Sequence, residues 1–137
     1  MKKNLLTILL SICFTQIIAQ DQVIGKWWTP KKDGQVDVYK TGNKYSGKLI
    51  WGKSGNKKDV NNPKEELRNR PLVGMDLFNN FIYKMSDEQW VDGKIYDPES
   101  GKTYSCKIWL TNGNKTMNVR GFIGFSLLGR TEKFTRL

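Results

Sequence analysis

The sequence predicts an all-β fold, an antiparallel up-and-down barrel of eight or nine strands. Short runs rich in Val, Ile, Tyr, Phe, Trp and Thr alternate with hairpin-type turn residues along the 137 residues. Sequential hairpins leave two unpaired sheet edges unless the sheet closes on itself. An eight-stranded barrel fits both the length and the number of runs, and its interior holds packed side chains or one small ligand.

Nine runs carry the strand pattern. They are residues 22–29, 36–39, 45–51, 73–78, 81–85, 89–96, 103–110, 116–122 and 125–137. Turn residues such as Asp92-Gly93 and Asn112-Gly113 accompany them. Alternation places four residues of the third run on one face, which we expect to point inward: Tyr45, Gly47, Leu49 and Trp51.

One long connection, residues 54–71, departs from the strand rhythm. Asn62 is suited to be a helix N-cap, Pro63 to the first helical position and Glu65 to a capping box, which together predict one short helical turn. Connections of this length are more often functional or cavity-capping than idle.

The N-terminus has the pattern of a secretory signal. Lys2 and Lys3 precede an apolar stretch over residues 5–18, and Ala19 is a suitable cleavage site. We therefore expect export to the periplasm or the medium, with residues 20–137 forming a single mature domain. That domain keeps one cysteine, Cys106, which strand alternation predicts to be buried and unreactive.

Composition excludes several kinds of chemistry. The chain has no histidine, which removes Ser-His-Asp and Cys-His nucleophiles and histidine-ligated zinc. No acidic loop of the calcium-binding type is present, so we expect no metal and no cofactor. The net charge of +10 comes from scattered lysines, and together with export it favours contact with an anionic envelope surface over nucleic-acid binding.

A short motif resembles the calycin superfamily, the lipocalins and their relatives. Gly25 and Trp27 stand in a Gly-x-Trp motif at the first strand, and Arg130 and Arg136 bracket the last strand. The resemblance implies that an arginine covers the tryptophan ring where the first and last strands meet, which a cation–π contact would stabilise.

Longer motifs resemble the DUF2147 family of exported bacterial proteins. They lie at residues 24–28, 47–51, 59–63, 67–74, 95–104, 119–124 and 129–130. That family has no established function, so the resemblance implies a location and a fold but no reaction.

Polar and cationic groups crowd the long connection. They are Asp59, Asn61, Asn62, Arg68 and Arg70. Two interpretations stay open: the arginines form an anion clamp completed by the amides, or these side chains serve turns, caps and exposed carbonyls of the loop. With Tyr45 and Trp51 as interior aromatics, the first predicts binding of a small apolar or amphipathic ligand.

Three functions follow from these features. The first is a non-enzymatic ligand-binding barrel of the cell envelope, with no catalytic residues. The second is an enzyme that acts on envelope material through carboxylates such as Asp59 and Asp97. The third is a structural or partner-binding module with an exposed apolar patch near residues 122–128.

Overall fold

The computed structural model describes residues 19–125 and 128–137, and its strands close into one antiparallel barrel. Each strand pairs with the next along the chain, and the last pairs with the first. The strands are β1 (Gly25–Trp28), β2 (Gly34–Thr41), β3 (Lys44–Gly52), β4 (Asp76–Lys84), β5 (Gln89–Asp97), β6 (Lys102–Thr111), β7 (Thr116–Phe122) and β8 (Gly129–Arg136). The predicted up-and-down barrel is confirmed, with eight strands.

The strand count is eight because two predicted runs belong to one strand. β4 takes in residues 76–78 of one run and 81–84 of the next without a turn between them, and residues 73–75 precede the strand. Asn80 adopts a positive φ of 59°, and its backbone N–H donates to Ser46 Oγ at 3.1 Å. Asparagine tolerates this conformation, so the strand bends and continues instead of reversing.

The turn expected at Asp92-Gly93 is also a bend inside a strand. β5 shifts its register on β6 between Trp90 and Gly93, and Asp92 has φ of 60°. A Cβ atom built on Gly93 would lie 2.4 Å from the ring of Phe81. Glycine is therefore needed here because the phenyl ring occupies the space of a side chain.

The long connection between β3 and β4 contains the expected helical turn, a single 3₁₀ turn over Glu65–Leu67. The N-cap prediction is wrong, because Lys64 holds that position and makes no side-chain cap. Asn62 instead uses its Oδ1 to accept the backbone N–H of Lys64 at 2.8 Å, which closes a local turn.

Side chains fill the barrel at the end where the chain enters. Residues before β1 cover this closed end: the Trp27 indole donates to the carbonyl of Val23 at 2.9 Å, and the Trp90 indole to that of Gln20 at 3.0 Å. The buried apolar residues there include Val38, Tyr45, Phe81, Ile108 and Met117. Cys106 is buried as expected.

The predicted signal segment, residues 1–19, lies outside the described residues except for Ala19. In the part of the chain that the structure describes, no helix has the length and apolar character needed to cross a membrane.

Candidate functional site

The opposite end of the barrel holds a cavity of about 1000 Å³. Its rim is formed by the four connections β1–β2, β3–β4, β5–β6 and β7–β8. Apolar side chains make most of its wall: Leu49, Leu72, Val73, Leu77, Ile95 and Val119. The volume and the apolar lining are those of a small-molecule site.

Two phenylalanines separate the cavity from the packed core. Phe78 and Phe134 line the cavity and are themselves buried, with ring centroids 5.4 Å apart. Phe78 fills the space beside Gly47, where a Cβ atom would lie 2.7 Å from the ring. Side chains alternate between inward and outward directions in both halves of the barrel. Beyond Phe78 and Phe134, however, the inward side chains do not fill the interior.

Tyrosine hydroxyls supply polar groups to the wall. Tyr104 lines the cavity, and its hydroxyl has no hydrogen-bond partner within residues 19–125 and 128–137. Tyr96 also lines it, but its hydroxyl donates to Asp59 Oδ1 at 2.5 Å. Tyr104 is thus the aromatic hydroxyl available to a ligand.

Four cations and four acids line the cavity, so its lining has no net charge. Lys31, Lys53 and Lys57 line it and are exposed, and none of the three forms an ion pair with another described residue. A fourth cation, Arg130, pairs with Glu132 at 2.6 Å. Ammonium groups at the rim of an apolar cavity favour an anionic head group outside an apolar tail.

Most acids at the mouth accept hydrogen bonds from residues nearby in the sequence. Asp33 Oδ1 accepts the hydroxyl of Thr29 at 2.7 Å. Asp97 caps its own turn, accepting the Glu99 N–H at 3.0 Å and the Ser100 hydroxyl at 2.7 Å. Glu99 is the acid of the lining whose side chain is exposed without such a contact in the described structure.

A buried carboxylate anchors the long connection beside the cavity. Asp59 is fully buried; besides Tyr96 it accepts Asn62 Nδ2 at 2.8 Å and Arg70 Nε at 3.1 Å. Burial alone would raise the pKa of Asp59, but the hydrogen bonds from Tyr96, Asn62 and Arg70 lower it below its ordinary value. Burial, and then the Asp59 carboxylate, raise the pKa of Tyr96 to about 12.

Neighbouring polar residues of the predicted site extend this anchor. Asn61 Nδ2 donates to the carbonyls of Pro98 at 3.2 Å and Glu99 at 2.9 Å, and Arg68 Nε donates to the carbonyl of Asn62 at 2.8 Å. These bonds join the long connection to the β5–β6 hairpin. The structure thus brings together five predicted site residues, and none of them is among the residues that line the cavity: Asp59, Asn61, Asn62, Arg68 and Arg70.

Neither of the two aromatic residues predicted to contact a ligand lines the cavity. Tyr45 is buried at the closed end, where its hydroxyl donates to Asp21 at 2.7 Å. Trp51 is 41% exposed and meets Trp28 edge-on at 5.9 Å, so its expected inward orientation is wrong. The register of β2 on β3 shifts by one residue opposite Ile50, which reverses the alternation before Trp51.

Comparisons with known proteins agree with this architecture. Residues 25–136 match the family described as "Uncharacterized protein conserved in bacteria (DUF2147)". The chain belongs to this family. Among solved structures it is similar to protein HP1028 of the human pathogen Helicobacter pylori, described as belonging to the lipocalin family, with a TM-score of 0.74 and 25% identity over 84% of this chain and 82% of that one. No curated protein is similar enough to count as a match.

This DUF2147 protein has a lipocalin-like barrel closed by an arginine on a tryptophan. The Arg136 guanidinium lies 4.0 Å from the centre of the Trp27 ring. Gly25, at φ of 128°, leaves room for it, because a Cβ atom there would lie 3.1 Å from Arg136 Nη1. Arg130 lies at the other end of β8, on the cavity rim and away from this contact.

The carboxylates considered for catalysis differ in access. Asp59 is enclosed and its two oxygens are occupied by donors, so a substrate in the cavity cannot reach it. Asp97 lines the cavity, but both of its oxygens hold the turn after β5. In the described residues no three acids or cysteines gather as a metal site would require.

Sequence reasoning missed most of the cavity wall in this DUF2147 protein. Leu77, Ile95 and Tyr104 line the cavity but were treated only as strand residues. Leu49 was assigned to the inward face and does line it. Alternation within each strand marks inward residues, but it carries no information on which half of the barrel is left hollow.

Proposed function

We propose that this protein is an exported, non-enzymatic carrier that binds one small amphipathic molecule in the cavity of its lipocalin-like barrel. The cavity itself supports this most directly: about 1000 Å³, open at one end and walled by Leu49, Leu77 and Ile95. The rest of the barrel is filled by side chains. A cavity of this size therefore favours ligand binding over a purely structural role.

The distribution of polar groups orients the proposed ligand. An acyl or other apolar tail lies against the leucine and isoleucine wall, and the Tyr104 hydroxyl donates to a polar group along it. The unpaired ammonium groups of Lys31, Lys53 and Lys57 receive an anionic head at the mouth. A single-chain lipid with a carboxylate or phosphate has this layout.

Export rests on the N-terminal pattern. The carbonyl of Gln20 accepts the N–H of the Trp90 indole. Cleavage after Ala19 therefore leaves this contact in the mature domain. We propose release to the periplasm or the medium.

A fluorescent probe tests the cavity directly. N-phenyl-1-naphthylamine should brighten on binding the purified mature protein, and laurate should displace it better than dodecylamine, since three unpaired ammonium groups stand at the mouth. Leu77→Trp fills the cavity and should weaken probe binding about tenfold. Ile82→Trp places the same side chain on the outer face of the same strand, where Ile82 is 37% exposed, and should leave binding unchanged.

The opposite outcome is equally clear. Folded wild-type protein that leaves the probe dark would overturn the cavity as the binding site. An equal loss of probe binding in Leu77→Trp and Ile82→Trp would do the same. Native and denaturing mass spectra of the protein recovered from its own cell envelope then identify the cargo as a mass that is lost on denaturation.

A further inference from the structure

Three large apolar side chains project from the β7–β8 connection at the cavity mouth. Ile123 is 69% exposed, Phe125 59% and Leu128 66%. Ile123 and Leu128 also line the cavity, so this apolar tip continues into the apolar wall. The tip is defined here by these three residues; residues 126 and 127 of the expected patch lie outside the described structure.

Positive charge surrounds the same mouth. Lys31 and Lys53 belong to the β1–β2 connection and the start of the β3–β4 connection, and Lys57 follows in the latter. All three are exposed and unpaired in the described structure, whereas Asp33, Asp97 and Glu132 are held by local partners. Taken whole, the four connections at this end of the barrel carry eight Lys and Arg residues against five Asp and Glu residues, which leaves an excess of cations.

We propose that the open end of the barrel docks on an anionic lipid bilayer. The apolar tip enters the interface between head groups and acyl chains, while Lys31, Lys53 and Lys57 contact lipid phosphates. Apolar side chains combined with lysines are what an interfacial membrane site requires.

A bilayer fits these features better than a protein partner. The cations are spread over separate connections rather than aimed at one point, which suits a surface of many equivalent anions. Docking in this orientation sets the cavity mouth against the membrane. A lipid tail can then pass between the acyl layer and the apolar wall without crossing water, and this transfer step rests on the proposed carrier function.

Vesicle co-sedimentation tests the docking surface with the whole mature protein. Wild-type protein should bind vesicles of phosphatidylethanolamine and phosphatidylglycerol far better than vesicles of phosphatidylcholine, and added salt should release it. Phe125→Ser should reduce binding about tenfold, because a large apolar contact is lost. Met85→Ser is the matched control: Met85 is 62% exposed in the β4–β5 connection at the closed end, and its loss should change nothing.

The charge contribution is measured separately. The triple variant Lys31→Gln, Lys53→Gln, Lys57→Gln should lose on the order of a hundredfold in affinity for the anionic vesicles. Equal binding to both vesicle types, or equal losses in Phe125→Ser and Met85→Ser, would overturn the proposal. Salt-resistant self-association that depends on Phe125 would also overturn it and assign the tip to a protein contact.

Failure of docking and failure of the carrier function give different results. Phe125 does not line the cavity, so Phe125→Ser should still bind N-phenyl-1-naphthylamine while losing vesicles. Leu77→Trp should lose the probe while keeping vesicles. A protein that binds the probe but no vesicle remains a carrier without the docking surface.

Discussion

The closed and open halves of this barrel use the same strands in opposite ways. β3 contributes Tyr45 to a packed aromatic cluster at one end and Leu49 to an empty wall at the other. In the closed half the Trp90 ring lies 6.3 Å from Tyr45 and 4.9 Å from Tyr83. In the open half the interior beyond Phe78 and Phe134 is left hollow.

This difference separates the half that stabilises the barrel from the half proposed to bind a ligand. The closed half buries large rings and is covered by the entering chain, so it supplies most of the apolar stabilisation. The open half depends on the anchored β3–β4 connection for its shape instead of on filled volume. Substitutions in the two halves should consequently have different effects on folding and on ligand affinity.

The largest effect is expected from Trp27→Ala. Trp27 is fully buried beneath Arg136, so truncation leaves a void and removes the cation–π contact; it should cost about 4 kcal/mol of unfolding free energy. Leu77→Ala enlarges a space that is already open and should cost about 1 kcal/mol. Urea denaturation measures both, and similar costs would remove the distinction between the halves.

Asp59→Ala should have the next largest effect. It should cost about 3 kcal/mol of unfolding free energy, because Tyr96 and Asn62 lose a charged hydrogen-bond acceptor. The native contacts lower the pKa of Asp59, so they stabilise the fold above the ordinary carboxyl value, and this gain is lost as the pH falls below about 4. Wild-type stability should therefore fall more steeply in acid than that of Asp59→Ala. Parallel acid slopes in urea midpoints would contradict the anchor.

Alanine substitution at two glycines should have different effects. Gly93→Ala should cost about 2 kcal/mol of unfolding free energy, and Gly121→Ala almost none. Gly93→Ala forces a methyl group to within 2.4 Å of the Phe81 ring and should destabilise the closed half by overpacking. The Cβ of Gly121→Ala meets Tyr104 at 3.5 Å and Ile95 at 3.6 Å, which are ordinary contacts at the cavity. Thermal unfolding of the two variants compares them, and an equally large loss for Gly121→Ala would show that the open half is tightly packed.

The smallest perturbation uses the wild-type thiol as a reporter. Burial raises the pKa of Cys106 to about 12, so its reactive thiolate is scarce at neutral pH. Iodoacetamide should label the native protein only as fast as the barrel opens, and immediately in denaturant. Rapid labelling of native protein, read by mass spectrometry, would mean that the wall around Cys106 opens locally.

Periodicity predicted the fold because alternation and turn residues act locally. It failed at Asn80, at Asp92 and before Trp51, where one extra residue shifts the register without reversing the chain. Such bends depend on neighbouring strands, as the Gly93 contact with Phe81 shows. A single strand read alone cannot reveal them.

The site was harder to predict because its contacts are distant in sequence. Asp59 and Tyr96 are 37 residues apart, and the sequence around Asp59 is compatible with a ligand site and with a loop anchor. The barrel width allows either a filled interior or one that holds a small ligand, so it predicts neither the presence of the cavity nor its location. That location depends on which rings fill the other half, a property of the assembled barrel.

The meeting of β1 and β8 has a consequence for the order in which the molecule forms. Trp27 of β1 pairs with Arg136 of β8, so this contact joins residues almost a whole chain apart. The seam between β1 and β8 has one further register pair, Trp28 with Thr135. Seven strand pairs can form in succession between neighbouring segments, but the barrel cannot close until β8 pairs with β1. We therefore expect seam closure to be a late event of folding, and until it happens β1 presents an unpaired edge to any other extended chain.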